Sequence, residues 1–323
     1  MSKQIVTSSI SAPGFAGLNL QDAPTSLEAG FALEANNCII DKFGRIGARK
    51  GWTTYLPTNA DLGTAVVKTI AEMLSPTASD NQLFAAGNNK LFLSTGSALA
   101  QKLVRNSGDT ANATYTITDS HWQVASLPDS TGVRARAVLT QAGHKALYFS
   151  YSSVTSSYVF KILADVATLP VTPIAHTSST FTPNTCLAAY GRIWTADIAG
   201  DRQTVYFSDL LNPLNFQTGT SGSLNIAEVV GDGDPIVALA SHNGFLLIFC
   251  ENHIVVYANA QDPSILLLQD IVNGIGCIAR DSVQNTGTDV VFLSATGVRS
   301  FTRTIQEKSL PMRDISKNVE MSY

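Results

Sequence analysis

Four cations crowd into nine residues near the N-terminus, Lys42, Arg45, Arg49 and Lys50, and no other part of the chain gathers positive charge so densely. A group of this kind can neutralise phosphates or dock on an acidic patch of a neighbouring protein. On a hairpin, Arg45 and Arg49 would share one face; the group reads either as an ordinary solvated hairpin or as a contact, and as a contact a protein neighbour is preferred over DNA. The carboxylates give less. Asp232 and Asp234 in GDGDP could offer oxygens to calcium, but the ligand spacing of a calcium loop is missing, so they read as a turn. Asp165, Asp197 and Glu251 are the available acids for a glycoside hydrolase, which needs two carboxyls about 5 to 9 Å apart, and nothing in the sequence brings them together.

Other reactive types are scattered. His121, His144, His176, His242 and His253 show no paired spacing, so no metal site is expected, nor any cofactor. Ser208 and Asp209 lack a nucleophile-elbow pattern. Cys38, Cys186, Cys250 and Cys277 form no CxxC pair; Cys186 and Cys250 fall inside apolar strands, where buried free thiols are expected. The catalytic set is therefore read as empty.

The elements that would position these residues are β-strands. Thr185 to Phe216 reads TCLAAYGRIWTADIAGDRQTVYFSDLLNPLNF, three strands separated by turn residues with no helix between them. The same grammar recurs at Gln82–Ser94, Ala137–Ser150, Pro235–Tyr257 and Asp289–Phe301. Its turn glycines, Gly87, Gly143, Gly191, Gly244 and Gly287, stand 43 to 56 residues apart. A four-stranded unit cannot cover both of its own faces, and a period near 50 residues implies blades stacked around an axis. The expected fold is all-β: a β-propeller of about six blades over residues 35–323, preceded by an extended N-terminal arm over 1–34. The sixth blade would combine the hairpin Cys38–Thr54 with the C-terminal strand. Rim loops at 106–133 and 217–234 and a short helix over Asp314–Glu320 complete it. Val66–Leu74 fits either helix or strand. Tyr148, Phe149, Trp194, Tyr206, Phe207, Phe249, Tyr257 and Phe292 lie on repeat strands and should pack between blades.

Only 14% of residues are charged, against about 25% in an ordinary domain, and the net charge is −4. Low charge favours an assembly component, and the negative sign gives no footprint for wrapping DNA. The N-terminal MSKQIVTSSISAPG has no apolar signal region and the longest aliphatic runs are too short for a membrane span, so folding in a reducing cytoplasm is expected.

Three segments carry a family resemblance. An Asn precedes an apolar strand and a glycine turn, followed by Arg45-x-x-x-Arg49-Lys50-Gly51-Trp52. The blade GRIWTADIAGDRQTVYFSDLLNPLNF follows, and LSATGVRSF near the end leads into LPMRDISKNV. In this order they resemble the tail tubular, or nozzle, proteins of short-tailed bacteriophages, relatives of the head-to-tail stabilisation proteins that plug the portal. The resemblance implies a virion structural protein, assembled in the host cytoplasm. Six copies would form a ring below the portal and adaptor, meet tail fibres or spikes, and touch exiting double-stranded DNA only transiently. A propeller-type carbohydrate-binding protein or glycoside hydrolase is the competing expectation.

Overall fold

A computed structural model describes residues 14–41, 45–51, 53–54, 56–57, 59–128 and 134–306. The helix expected at Asp314–Glu320 lies outside them. Before the first blade, β1 (Gly17–Leu18) and β2 (Phe31–Ala32) pair in parallel, so part of the arm folds back on itself. Next, β3 (Cys38–Ile40) and β4 (Ile46–Ala48) form a hairpin of their own.

The rest is a five-bladed β-propeller. Blade one is β5 (Val67–Met73), β6 (Gln82–Gly87), β7 (Lys90–Ser94) and β8 (Leu99–Lys102). Blade two carries an extra parallel strand, β9 (Val104–Arg105), outside β10 (Gln123–Ser126), β11 (Ala137–Thr140), β12 (Leu147–Ser152) and β13 (Ser157–Ile162). Blade three is β14 (Thr185–Ala189), β15 (Arg192–Ala196), β16 (Thr204–Phe207) and β17 (Gly222–Asn225), followed by a one-turn helix, α1 (Ala227–Val230). Blade four is β18 (Ile236–His242), β19 (Phe245–Cys250), β20 (His253–Ala258) and β21 (Leu267–Asn273). Blade five has three described strands, β22 (Gln284–Asn285), β23 (Val290–Ser294) and β24 (Gly297–Ser300), and runs into α2 (Phe301–Gln306).

Five blades rather than about six are formed: among the described residues β3 and β4 pair only with each other and join no sixth sheet. The turn glycines also mark different turns. Gly87 and Gly143 lie between second and third strands, whereas Gly191, Gly244 and Gly287 lie between first and second. Val67–Met73 is a strand: its odd positions pack inward and its even ones face out, the period of two expected for a sheet with one covered face. Residues 115–118 are irregular because side chains replace the ladder, Tyr115 Oη donating to Lys145 O at 2.6 Å and Thr118 N to His144 Nε2 at 3.0 Å. Residues 274–279 hold no strand either.

Each blade buries its faces against its neighbours. One core joins blades one and two around Phe84, Phe149 and Phe160. Tyr148, Ile193 and Tyr206 fill that between two and three, and Trp194, Phe207 and Tyr257 that between three and four. Phe249, Phe292 and Phe301 fill the last, between four and five. All eight aromatics expected between blades are buried. Among the described residues no such core joins blade five to blade one.

The hairpin turns are tight. Tyr190 and Gly191 both take positive φ, 56° and 70°, as a two-residue turn between twisted strands requires. A Cβ on Gly191 would also stand 2.9 Å from Leu210 Cδ1. Gly191→Val combines a β-branched residue at positive φ with that clash. It should lower unfolding free energy by at least about 2 kcal/mol, read from the urea midpoint. No described helix is long and apolar enough to cross a membrane.

Candidate functional site

The basic hairpin is shallower than the sequence suggests. Its ladder is three residues deep, Cys38↔Ala48, Ile39↔Gly47 and Ile40↔Ile46, with Arg45 and Arg49 flanking the second strand at either end. Arg45 Nε is held by Asp41 Oδ2 at 2.8 Å, so one of the expected cations is already paired within the hairpin. Arg49 and Lys50 are exposed, and Lys42 lies outside the described residues. The same hairpin exposes Ile39, Ile40 and Ile46, each about half accessible. A three-residue, two-stranded hairpin with bare aliphatics has little to stabilise it alone.

A second site lies where the entries to the blades meet, and Arg280 holds it together. Its Nη1 donates to Asn184 O and Oδ1, at 2.7 and 2.9 Å, and its Nη2 to His121 O at 2.8 Å. Those partners open blades three and two, while Arg280 itself precedes blade five. Asp281 takes the remaining Nε donor at 2.8 Å. The network continues outward on both sides. Asn184 Nδ2 donates to Asp197 Oδ2, and Arg202 Nε to Asp197 Oδ1 at 2.7 Å. Beyond His121, whose Nδ1 is 2.9 Å from Asp119 Oδ2, Lys68 of blade one donates to Asp119 Oδ1 at 2.7 Å. Four blades are thus strung on one chain of charge-assisted bonds. The expected acids and cysteines give no hint of this, and Arg280 would otherwise read as the end of a strand.

The Lys68 ammonium, then His121, hold the Asp119 carboxyl well below the usual range. Because the folded pKa is depressed, the stability it contributes is complete above the unfolded value near 4 and is lost as pH falls through the folded one. Lys68→Met should raise that folded pKa and move the acid-unfolding midpoint, followed by circular dichroism, to higher pH.

The hydrolase candidates are otherwise employed. Asp197 accepts from Arg202 Nε and Asn184 Nδ2, and the same Arg202 guanidinium lies in the field of Glu251. Asp165 is exposed on a turn after blade two. Next to the network, a cleft of about 270 Å³ is lined by Gly143, Thr182, Asn184, Asp197 and Arg202. Asp234 braces a turn, its Oδ1 accepting from Asn252 N and its Oδ2 lying 2.6 Å from His253 Nδ1. Asp232 has no place in that clamp. His176 Nε2 meets Tyr206 Oη at 3.1 Å inside blade three, and Tyr206 donates to Asp201 at 2.5 Å. Among the described residues no three His, Cys, Asp or Glu gather as a metal site.

All four cysteines are free. Burial pushes the Cys186 thiol up to about 11 and raises Cys250 and Cys277 as well, which removes their nucleophilic character at neutral pH.

No family model matches the chain, and no curated protein matches it in sequence. Solved structures do. The Porphyromonas gingivalis surface component PorZ of the type-IX secretion system is 16% identical over 74% of this chain, with a TM-score of 0.38, and the match spans 27% of PorZ. The BBS1N chain, crystallised with ARL6DN, is 11% identical over 83% of this chain and 71% of its own, with a TM-score of 0.40. The AfRom2 CNH domain is 11% identical over 82% of this chain and 92% of its own, with a TM-score of 0.30.

Proposed function

We propose that the chain is a structural assembly subunit whose propeller is a scaffold and whose N-terminal hairpin is a connector, in the manner of the short-tail nozzle proteins its motifs resemble. The observation that carries this reading is the hairpin itself: three isoleucines and two cations presented to solvent on a two-stranded sheet. Such an element becomes stable when something covers it. The low charge agrees. A conduit lined with Lys and Arg would release counterions from DNA and hold it, whereas a net charge of −4 per copy discourages adhesion during transit. On this reading six copies would line a channel under the portal and adaptor, retain the genome and then release it, with fibres or spikes as outer partners.

Light scattering on purified full-length protein, with end-on electron micrographs, tests the proposal. A ring with a central hole, or assembly onto an adaptor ring, is the expected result. A monomer at all concentrations that binds or cleaves oligosaccharides would overturn it in favour of a propeller lectin or hydrolase.

A further inference from the structure

Charge is divided unevenly along this chain. Between Gln203 and Ala279 there are seven carboxylates and not one Lys or Arg, whereas residues 42–50 hold four cations. The acidic stretch covers the last two strands of blade three and all of blade four. On their rim a second bare apolar surface appears: Leu210 at 52%, Ile265 at 58% and Leu267 at 57% exposure.

Several contacts place these residues together. Leu210 lies over the Tyr190–Gly191 turn, where a Cβ on Gly191 would touch it. Tyr190 packs in the core between blades three and four together with Leu266, the neighbour of both Ile265 and Leu267. Buried Arg192, next in the chain, feels the fields of both Asp209 and Asp262. Bonds from Thr220 hold the Asp209 carboxyl below its usual range, and bonds from Ser264 do the same for Asp262, so both stay ionised. The rim is therefore aliphatic and edged with negative charge. It also includes the outer side of β21, which is the last strand of its sheet among the described residues.

The hairpin is its complement: aliphatic Ile39, Ile40 and Ile46, edged by Arg49 and Lys50. Both surfaces are bare in the same molecule, so the hairpin does not cover its own rim. We infer that the hairpin of one copy docks on the rim of blades three and four of the next copy, isoleucines against Leu210, Ile265 and Leu267, with Arg49 and Lys50 facing Asp209 and Asp262. This rests on the reading of the chain as an assembly subunit and adds to it the two surfaces that meet. The contact is head-to-tail, so repeating it builds a ring where the rotation closes and a filament where it does not.

The test uses full-length protein in a Cys38→Ser background, since the other three cysteines are buried. One preparation carries Ile46→Cys and a second, with a larger tag, carries Leu267→Cys. Mixed and mildly oxidised, they should give a disulfide-linked species of mixed mass, and the double variant should give a ladder. Arg49→Glu with Lys50→Glu should weaken association about tenfold, and adding Asp262→Lys should restore part of it. Assemblies that form but cross-link only hairpin to hairpin, or not at all, would overturn this docking while leaving the assembly reading intact. Protein that stays monomeric at every concentration would overturn both.

Discussion

Gly276→Ala should leave almost no soluble, folded protein. A Cβ at this position would stand 2.2 Å from Glu251 O and 2.4 Å from Cys250 O, both backbone atoms at the end of β19. Neither can swing aside as a side chain would. Separating the two segments would also break the hydrogen bond from Cys277 N to Cys250 O, 2.8 Å long, which ties the approach of blade five to blade four. Single substitutions that cost more than about 4 kcal/mol are exceptional and come from mechanisms of this kind, and domains have only about 5–15 kcal/mol in total. Gly274→Ala is the control. Its φ is positive, 75°, but a Cβ there meets nothing within 4 Å, so only the backbone preference of about 1 kcal/mol is lost. Thermal melts of the soluble fraction should separate the two variants clearly; similar melting points would show that blades four and five can part without cost.

Arg280→Met should cost about 3 kcal/mol. The guanidinium makes charge-assisted bonds to groups opening two other blades, and bonds of that class contribute roughly 1.5–3 kcal/mol each where they are shielded. Methionine keeps the apolar stem and removes the fork, leaving the Asn184 side chain and His121 O short of a donor. Arg280→Lys should recover less than half, because an ammonium cannot span both acceptors in the guanidinium's geometry. Hydrogen exchange would report the place as well as the size, with protection lost first around 184 and 121. A uniform loss across all blades would mean that the arginine is replaceable and the blades are held by their cores alone.

The blades could be read from sequence because antiparallel sheets leave local marks. Asn243–Gly244 sits at positive φ between two apolar runs, and Asn88–Asn89 does the same in blade one. Such pairs signal a hairpin without knowledge of the rest of the chain. Blade phase was not legible by the same means, since glycine favours any tight turn and does not say which one. Expecting about six blades over residues 35–323 also counted the stretch before Val67 as propeller, although it precedes the first blade. Arg280 was hidden for a different reason. Its partners are 96 and 159 residues away in sequence, and no periodicity or motif records a contact of that range. The basic group was visible as charge, but the capture of Arg45 by Asp41 depends on how the turn folds.

Among the described residues four cores join the five blades in succession, so blade three is packed on both faces while blades one and five each share one core. The Arg280 network adds polar ties from the approach of blade five to blades two and three. Stability then behaves like that of a linear repeat array, highest in the middle and falling toward the tips. Blade three should be the last to exchange its amides, and a link added between blades one and five would slow unfolding of those two blades most.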